Sequence, residues 1–136
     1  MDNSFKQEFE KQLSISKTLY QEIMDIIDIK HMSMDEFYTN TELNRTILSD
    51  IKKNKSRPQL RTVISICVGL QLEPMRASDF IKSAGYNLSS TLYIDYVYAD
   101  LIAHYSEFGI SACNDRLKEL GIEEKYYLGS QTRKRI

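Results

Sequence analysis

The chain has 136 residues, 42% of them hydrophobic and 27% charged, with a formal net charge of −1 and two cysteines. That length suits one packed core with extensions, and that composition excludes both wholesale disorder and bulk polyanion binding by the protein as a whole. No apolar run reaches the roughly 18 residues of a membrane span, and the opening M-D-N-S-F-K-Q-E-F has no apolar signal core, so a cytoplasmic protein without membrane association is expected.

The charge is unevenly spread. Met1 to Leu43 carries four Lys/Arg against nine Asp/Glu, and Thr62 to Leu128 five against nine. Asn44 to Arg61 carries six against one, and the tail adds Arg133, Lys134 and Arg135. Positive charge is therefore confined to two places, and a local basic face remains open to an anionic partner.

In chain order, Phe5, Phe9 and Leu13 recur at four-residue spacing and predict a first helix. Ser16 is placed to cap a second helix with Leu19, Tyr20, Ile23, Ile26 and Ile27 along one stripe. Ser33 and Glu36 form an S-x-x-E capping box for a helix from Met34 to about Thr39, with Phe37 inward. Asn40 to Leu43 is the turn. Asn44 is the expected N-cap of a helix from Arg45 to about Lys53, with Ile47, Leu48 and Ile51 apolar and Asn54 as its left-handed C-cap. Pro58 precedes a central helix, Gln59 to Leu70, that is apolar nearly all round. Glu73-Pro74 opens a helix ended by Gly85. A Tyr-rich helix from about Thr91 to Phe108 follows, then one capped by Ser111 and closed by Gly121. Order is expected through Leu128, with the tail from about residue 129 mobile. No strand signal is present. The expected organisation is all-α: residues 1–88 form one domain and 89–136 a helical extension packed on it.

Ser33 to Leu72 resembles the Cro and phage-repressor type helix-turn-helix family, the XRE family, without gaps. Phe37 takes the family's first core leucine, Leu43 the apolar turn residue and Asn44 the small polar cap. Leu48 and Ile51 take the apolar positions of the recognition helix. Asn54 takes the usual glycine, Pro58 the proline, and Thr62, Ile66 and Leu70 the core face of the next helix. Tyr38 stands where the family has a small residue and is expected to crowd the helix crossing. Glu42 stands at the turn glycine; glutamate resists positive φ, so an opened or rebuilt turn is expected. Residues Glu73 to Leu88, with the Tyr-rich helix and I-S-A-C-N-D-R-L-K-E-L-G, are similar to a helical extension on some bacterial and phage proteins of that family. The resemblance implies a five-helix repressor-like core with an N-terminal helix and this C-terminal extension.

It also implies a function: a DNA-binding transcriptional regulator with its second motif helix in the major groove of double-stranded DNA. Arg45, Thr46, Ser49 and Asp50 would face base edges. Arg45 suits guanine and Thr46 a thymine methyl, while Asp50 would accept from cytosine or brace Arg45. Asn44, Lys52, Lys53, Lys55 and Arg57 would lie beside phosphates. A homodimer is expected, because one module offers few base contacts. Phe5 and Phe9, or the Tyr-rich C-terminal helices, are the candidate surfaces for it or for a protein partner.

A second reading is a phage- or defence-associated adaptor or inhibitor whose degenerate motif no longer reads DNA. An enzyme is not expected, since no nucleophile elbow, phosphate loop or HExxH is present. Cys67 and Cys113 read as buried thiols, and His31 and His104 lack ligand-spaced partners, so neither a metal nor another cofactor is expected.

Overall fold

A computed structural model describes residues 3–15, 18–53 and 57–130, the first helix beyond residue 10 as backbone only. Among these residues every regular element is helical and no strand occurs. The α-helices are α1 (Asn3–Ile15), α2 (Leu19–Ile29), α3 (Met34–Thr41), α4 (Ile47–Lys53), α5 (Leu60–Gly69), α6 (Pro74–Ser83), α7 (Tyr93–His104) and α8 (Gly109–Glu119). Short 3-10 turns occupy Ser106–Phe108 and Glu124–Tyr126.

Helix α5 is the axis of the molecule. Every residue from Val63 to Leu70 is buried, and α3, α6, α7 and α8 all pack against it. A helix apolar on all sides can satisfy itself only where it is surrounded. One continuous core runs from Ile23 and Phe37 through α5 to Leu101, Leu117 and Leu128. Cys67 and Cys113 lie within it as unpaired thiols. Burial pushes each thiol up to about 12, which leaves them neutral and unreactive near pH 7.

Gly69 permits the closest crossing. A Cβ there would stand 2.4 Å from Thr41 Cγ2 and 3.0 Å from the Thr41 backbone. The C-terminal turn of α3 therefore rests directly on α5. Thr41 is itself buried, and its hydroxyl donates back to the Phe37 carbonyl at 2.9 Å.

Several boundaries differ from the sequence expectation for local reasons. The cap of α2 is Thr18, whose hydroxyl accepts from the Gln21 amide; Ser16 lies outside the described residues. The Tyr-rich helix stops at His104 rather than Phe108, and α8 starts at Gly109 rather than after Ser111. Gly109, at φ +90°, supplies the backbone conformation that reverses the chain there. The expected mobile tail does not begin at residue 129. Leu128 and Gly129 are buried, and Ser130 is bonded to Glu42, so only from Gln131 onward does the chain leave the described residues.

Candidate functional site

The basic segment is positioned by α3 and the turn after it. Ser33 and Glu36 form the expected reciprocal cap: the Ser33 hydroxyl accepts from the Glu36 amide at 3.0 Å, and the Glu36 carboxylate accepts from the Ser33 amide at 2.8 Å. This fixes the start of α3 and, through buried Phe37, its seat on the core. Two acidic residues in its first turn, Asp35 and Glu36, also suit the positive end of the helix dipole.

Glu42 ends α3 in the left-handed conformation, φ 55° and ψ 31°. The expected opened turn is therefore not observed: glutamate takes the glycine conformation itself. That costs on the order of 1 kcal/mol, offset by what its backbone does. Its amide donates to the Tyr38 carbonyl, and its carbonyl accepts from the Ser130 amide at 2.6 Å. Tyr38 does not crowd the crossing either. Its half-buried ring packs edge-on against Phe37 at 5.1 Å and lies 5.2 Å beneath the Arg45 guanidinium.

Helix α4 begins later than expected, at Ile47. Asn44, Arg45 and Thr46 form a turn closed by the Ile47 amide on the Asn44 carbonyl. Leu48 and Ile51 are buried, as their spacing requires. Thr46, Ser49, Asp50, Lys52 and Lys53 are exposed, and with Arg45 they make a polar face of the turn and helix.

Several of these side chains already have neighbours. Arg45 pairs with Asp35 at 2.9 Å, not with Asp50; both partners are largely exposed, so the bridge is weak and exchangeable. The Lys52 ammonium sits 5.3 Å from the Tyr20 ring. Asn44 accepts from the Ser130 hydroxyl at 3.0 Å or donates to it through an inverted amide. Arg57 turns toward the end of α6: it donates to the Gly85 carbonyl at 2.8 Å and stacks 4.4 Å from the Tyr86 ring. Gly85, at φ +91°, leaves room for that side chain, since a Cβ would stand 2.9 Å from Arg57 Cδ. Asn54 and Lys55 lie outside the described residues.

A component that the periodicity did not indicate is the strap of residues 127–130. Asn114 grips Leu128 on both sides, its carbonyl accepting from the Leu128 amide at 2.8 Å and its amide donating to the Leu128 carbonyl at 3.1 Å. The Gly129 amide donates to Ser65 Oγ at 2.8 Å. Arg61 reaches the carbonyls of Tyr127 and Gly129 at 3.4 Å each. Ser130 then closes on Glu42 and Asn44. Gly129 is packed so tightly on Glu42 that a Cβ would stand 3.0 Å from the Glu42 side chain. The sequence signals available for this strap were Gly129 and the apolar Tyr126-Tyr127-Leu128 run before it.

Among the described residues no cluster of His, Cys, Asp and Glu has a metal-holding arrangement, and no helix is long and apolar enough to cross a membrane. The chain matches no protein-family model, no curated protein and no solved structure.

Proposed function

We propose that this protein is a DNA-binding transcriptional regulator of helix-turn-helix type, with α3 as the supporting helix and α4 as the recognition helix. The observation that carries the reading is the face formed by Arg45, Thr46, Ser49, Lys52 and Lys53. It is exposed, polar and cationic, on a turn and the short helix after it, whose opposite side is anchored through Leu48 and Ile51. Arg45 and Thr46 in the turn, with Ser49 and Asp50 on the helix, are the base-edge candidates. Lys52 and Lys53 supply phosphate affinity, as does Lys55 from the sequence pattern. Arg57 is assigned a weaker part, because its guanidinium is held by Gly85 and Tyr86. A seven-residue recognition helix reads few bases, so the reading includes a homodimer. Exposed Tyr93 and Tyr96 on α7, and exposed Phe5 and Phe9 on α1, are the candidate surfaces for it.

The test is binding to a library of random-sequence duplexes over a range of salt concentrations. Each phosphate contact contributes a slope of about −0.9 in log K against log salt, so about four contacts give roughly −4 per protomer. Lys53→Ala should lower affinity for all sequences and flatten the slope by about one contact. Arg45→Ala should cost about 1–3 kcal/mol on a selected sequence and relax its preference at one position. Binding that ignores salt and both substitutions would sink the proposal.

One set of observations favours a second reading, a protein-interaction module. Arg45, Arg57 and Asn44 are engaged within the chain, and Asp50 stands on the face that would meet phosphates. A stoichiometric protein partner recovered without DNA, and lost on Lys52→Ala or Lys53→Ala, would select it.

A further inference from the structure

We infer that the pocket between the start of α5, the first half of α7 and the 124–126 turn binds a small amphipathic carboxylate. Its occupancy is transmitted to the 127–130 strap through Arg61. The inference does not depend on what α4 binds. The pocket has a volume of about 580 Å³, inside the roughly 300–1,000 Å³ of small-molecule sites. Leu60, Ile94, Tyr98 and Tyr126 supply its apolar wall. Leu60 and Ile94 are half-buried and pack on the core, so they stand in place before any ligand arrives. The Tyr98 hydroxyl is already engaged, donating to the Tyr126 carbonyl at 2.6 Å.

The charge of the pocket comes from Arg61 and Lys125, and none of its described lining residues is an acid. Arg61 is half-buried, and its acceptors are neutral. Its Nε donates to the Gln59 side-chain oxygen at 3.1 Å, and its Nη1 reaches the Tyr127 and Gly129 carbonyls at 3.4 Å each. Those last two bonds are long. A carboxylate offers the same guanidinium a charge-assisted, two-pronged pair, roughly twice as strong as a neutral bond. Lys125 is held only loosely among the described residues. Its ammonium lies 5.2 Å from the Tyr126 ring and 3.8 Å from the Glu123 carboxylate, with both ends of that ion pair largely exposed. An exposed pair of this kind exchanges readily for another anion. An apolar wall beside two available cations fits a molecule with an apolar body and one anionic head.

The same geometry links the pocket to the turn before α4. The carbonyls that Arg61 reaches belong to the strap, whose Gly129 amide is bonded to Ser65 and whose Ser130 is bonded to Glu42 and Asn44. Gly129 and Ser130 line a separate hollow with Thr46, Ile47 and Asp50. A carboxylate that draws the guanidinium toward the pocket releases two strap carbonyls, and the strap is what clasps that turn.

The test is titration of the isotope-labelled full chain, followed by amide resonances, with octanoate and with 3-phenylpropionate. Octanamide, 3-phenylpropanamide and acetate serve as controls. At least one of the two carboxylates should move the Leu60, Ile94 and Lys125 amides saturably, and Gly129 and Ser130 with the same midpoint. Its neutral amide should bind about tenfold more weakly or worse, because it forms no charge-assisted pair. Lys125→Gln, at an exposed side chain, should leave the spectrum folded and weaken binding several-fold. Arg61→Gln should weaken it about tenfold and abolish the coupled shift of Gly129 and Ser130. Should Arg61→Gln fail to fold, Lys125→Gln and the amide controls still decide the matter. No saturable shift at the pocket with either carboxylate overturns the site, as does wild-type affinity in the folded variants. An amide that binds as tightly as its acid overturns recognition by charge, and acetate that binds as tightly as octanoate overturns the apolar wall. Saturation at the pocket with Gly129 and Ser130 unmoved overturns the transmission.

Discussion

Helix α4 and the strap of residues 127–130 line one hollow, yet they treat their polar groups in opposite ways. Helix α4 buries Leu48 and Ile51 and leaves its charged and hydroxyl side chains to solvent. The strap buries Leu128 and Gly129 and gives its backbone groups to Asn114, Ser65, Arg61 and Glu42. A polar group left in water can change partners at little cost, whereas a buried one must keep its own. The exposed face is therefore the part able to bind something else, and the strap is the part that holds the turn beneath it in shape.

Substitutions can break this contrast. The largest effect should come from Asn114→Ala, which removes both hydrogen bonds between the Asn114 side chain and the buried Leu128 backbone. A loss of about 2 kcal/mol in urea unfolding is expected, because each of the two buried hydrogen bonds contributes about 1 kcal/mol. No measurable loss would mean that the strap is not part of the cooperative fold. Ser33→Ala should come next, at about 1 kcal/mol, through removal of the α3 cap. Its effect belongs to the same unfolding transition, so the midpoint should fall with no new phase. The smallest should come from Lys52→Ala and Lys53→Ala, each within about 0.5 kcal/mol of wild type for an exposed surface residue. A larger shift in thermal or urea midpoint would show that these lysines serve the fold rather than a partner.

The sequence was most legible where the deciding residues are close together. The capping box needs only Ser33 and Glu36, and the buried stripe of α4 needs only Leu48 and Ile51. The all-apolar character of Val63 to Leu70, broken only by Ser65, announced the central helix. Boundaries failed where two local choices compete, as at Ser16 against Thr18 or Ser111 against Gly109. Glu42 was misread for a different reason. Its side chain argues against a left-handed turn, but its carbonyl is paired with the amide of Ser130, a partner that no local window contains. The strap was missed on the same ground: Asn114, Ser65, Arg61 and Glu42 are scattered through the chain and converge only in three dimensions. In the candidate site, exposure of Thr46, Ser49, Lys52 and Lys53 followed from the pattern. The Arg45–Asp35 and Arg57–Gly85 pairings did not, because long cationic side chains choose among neighbours that periodicity does not specify.

The bond between Ser130 and Asn44 spans 86 positions of the chain. Chains are made from the N-terminus, and a contact this distant in sequence must wait for its loop to close. The α3–α4 turn can form early, but the clasp that holds Glu42 in its unfavourable conformation is synthesised only 86 positions after Asn44. A nascent chain stalled or truncated before Leu128 would present the cationic helix on an unclasped turn. Emergence of the 127–130 strap, rather than of the α3–α4 turn, is then the event that matures the surface.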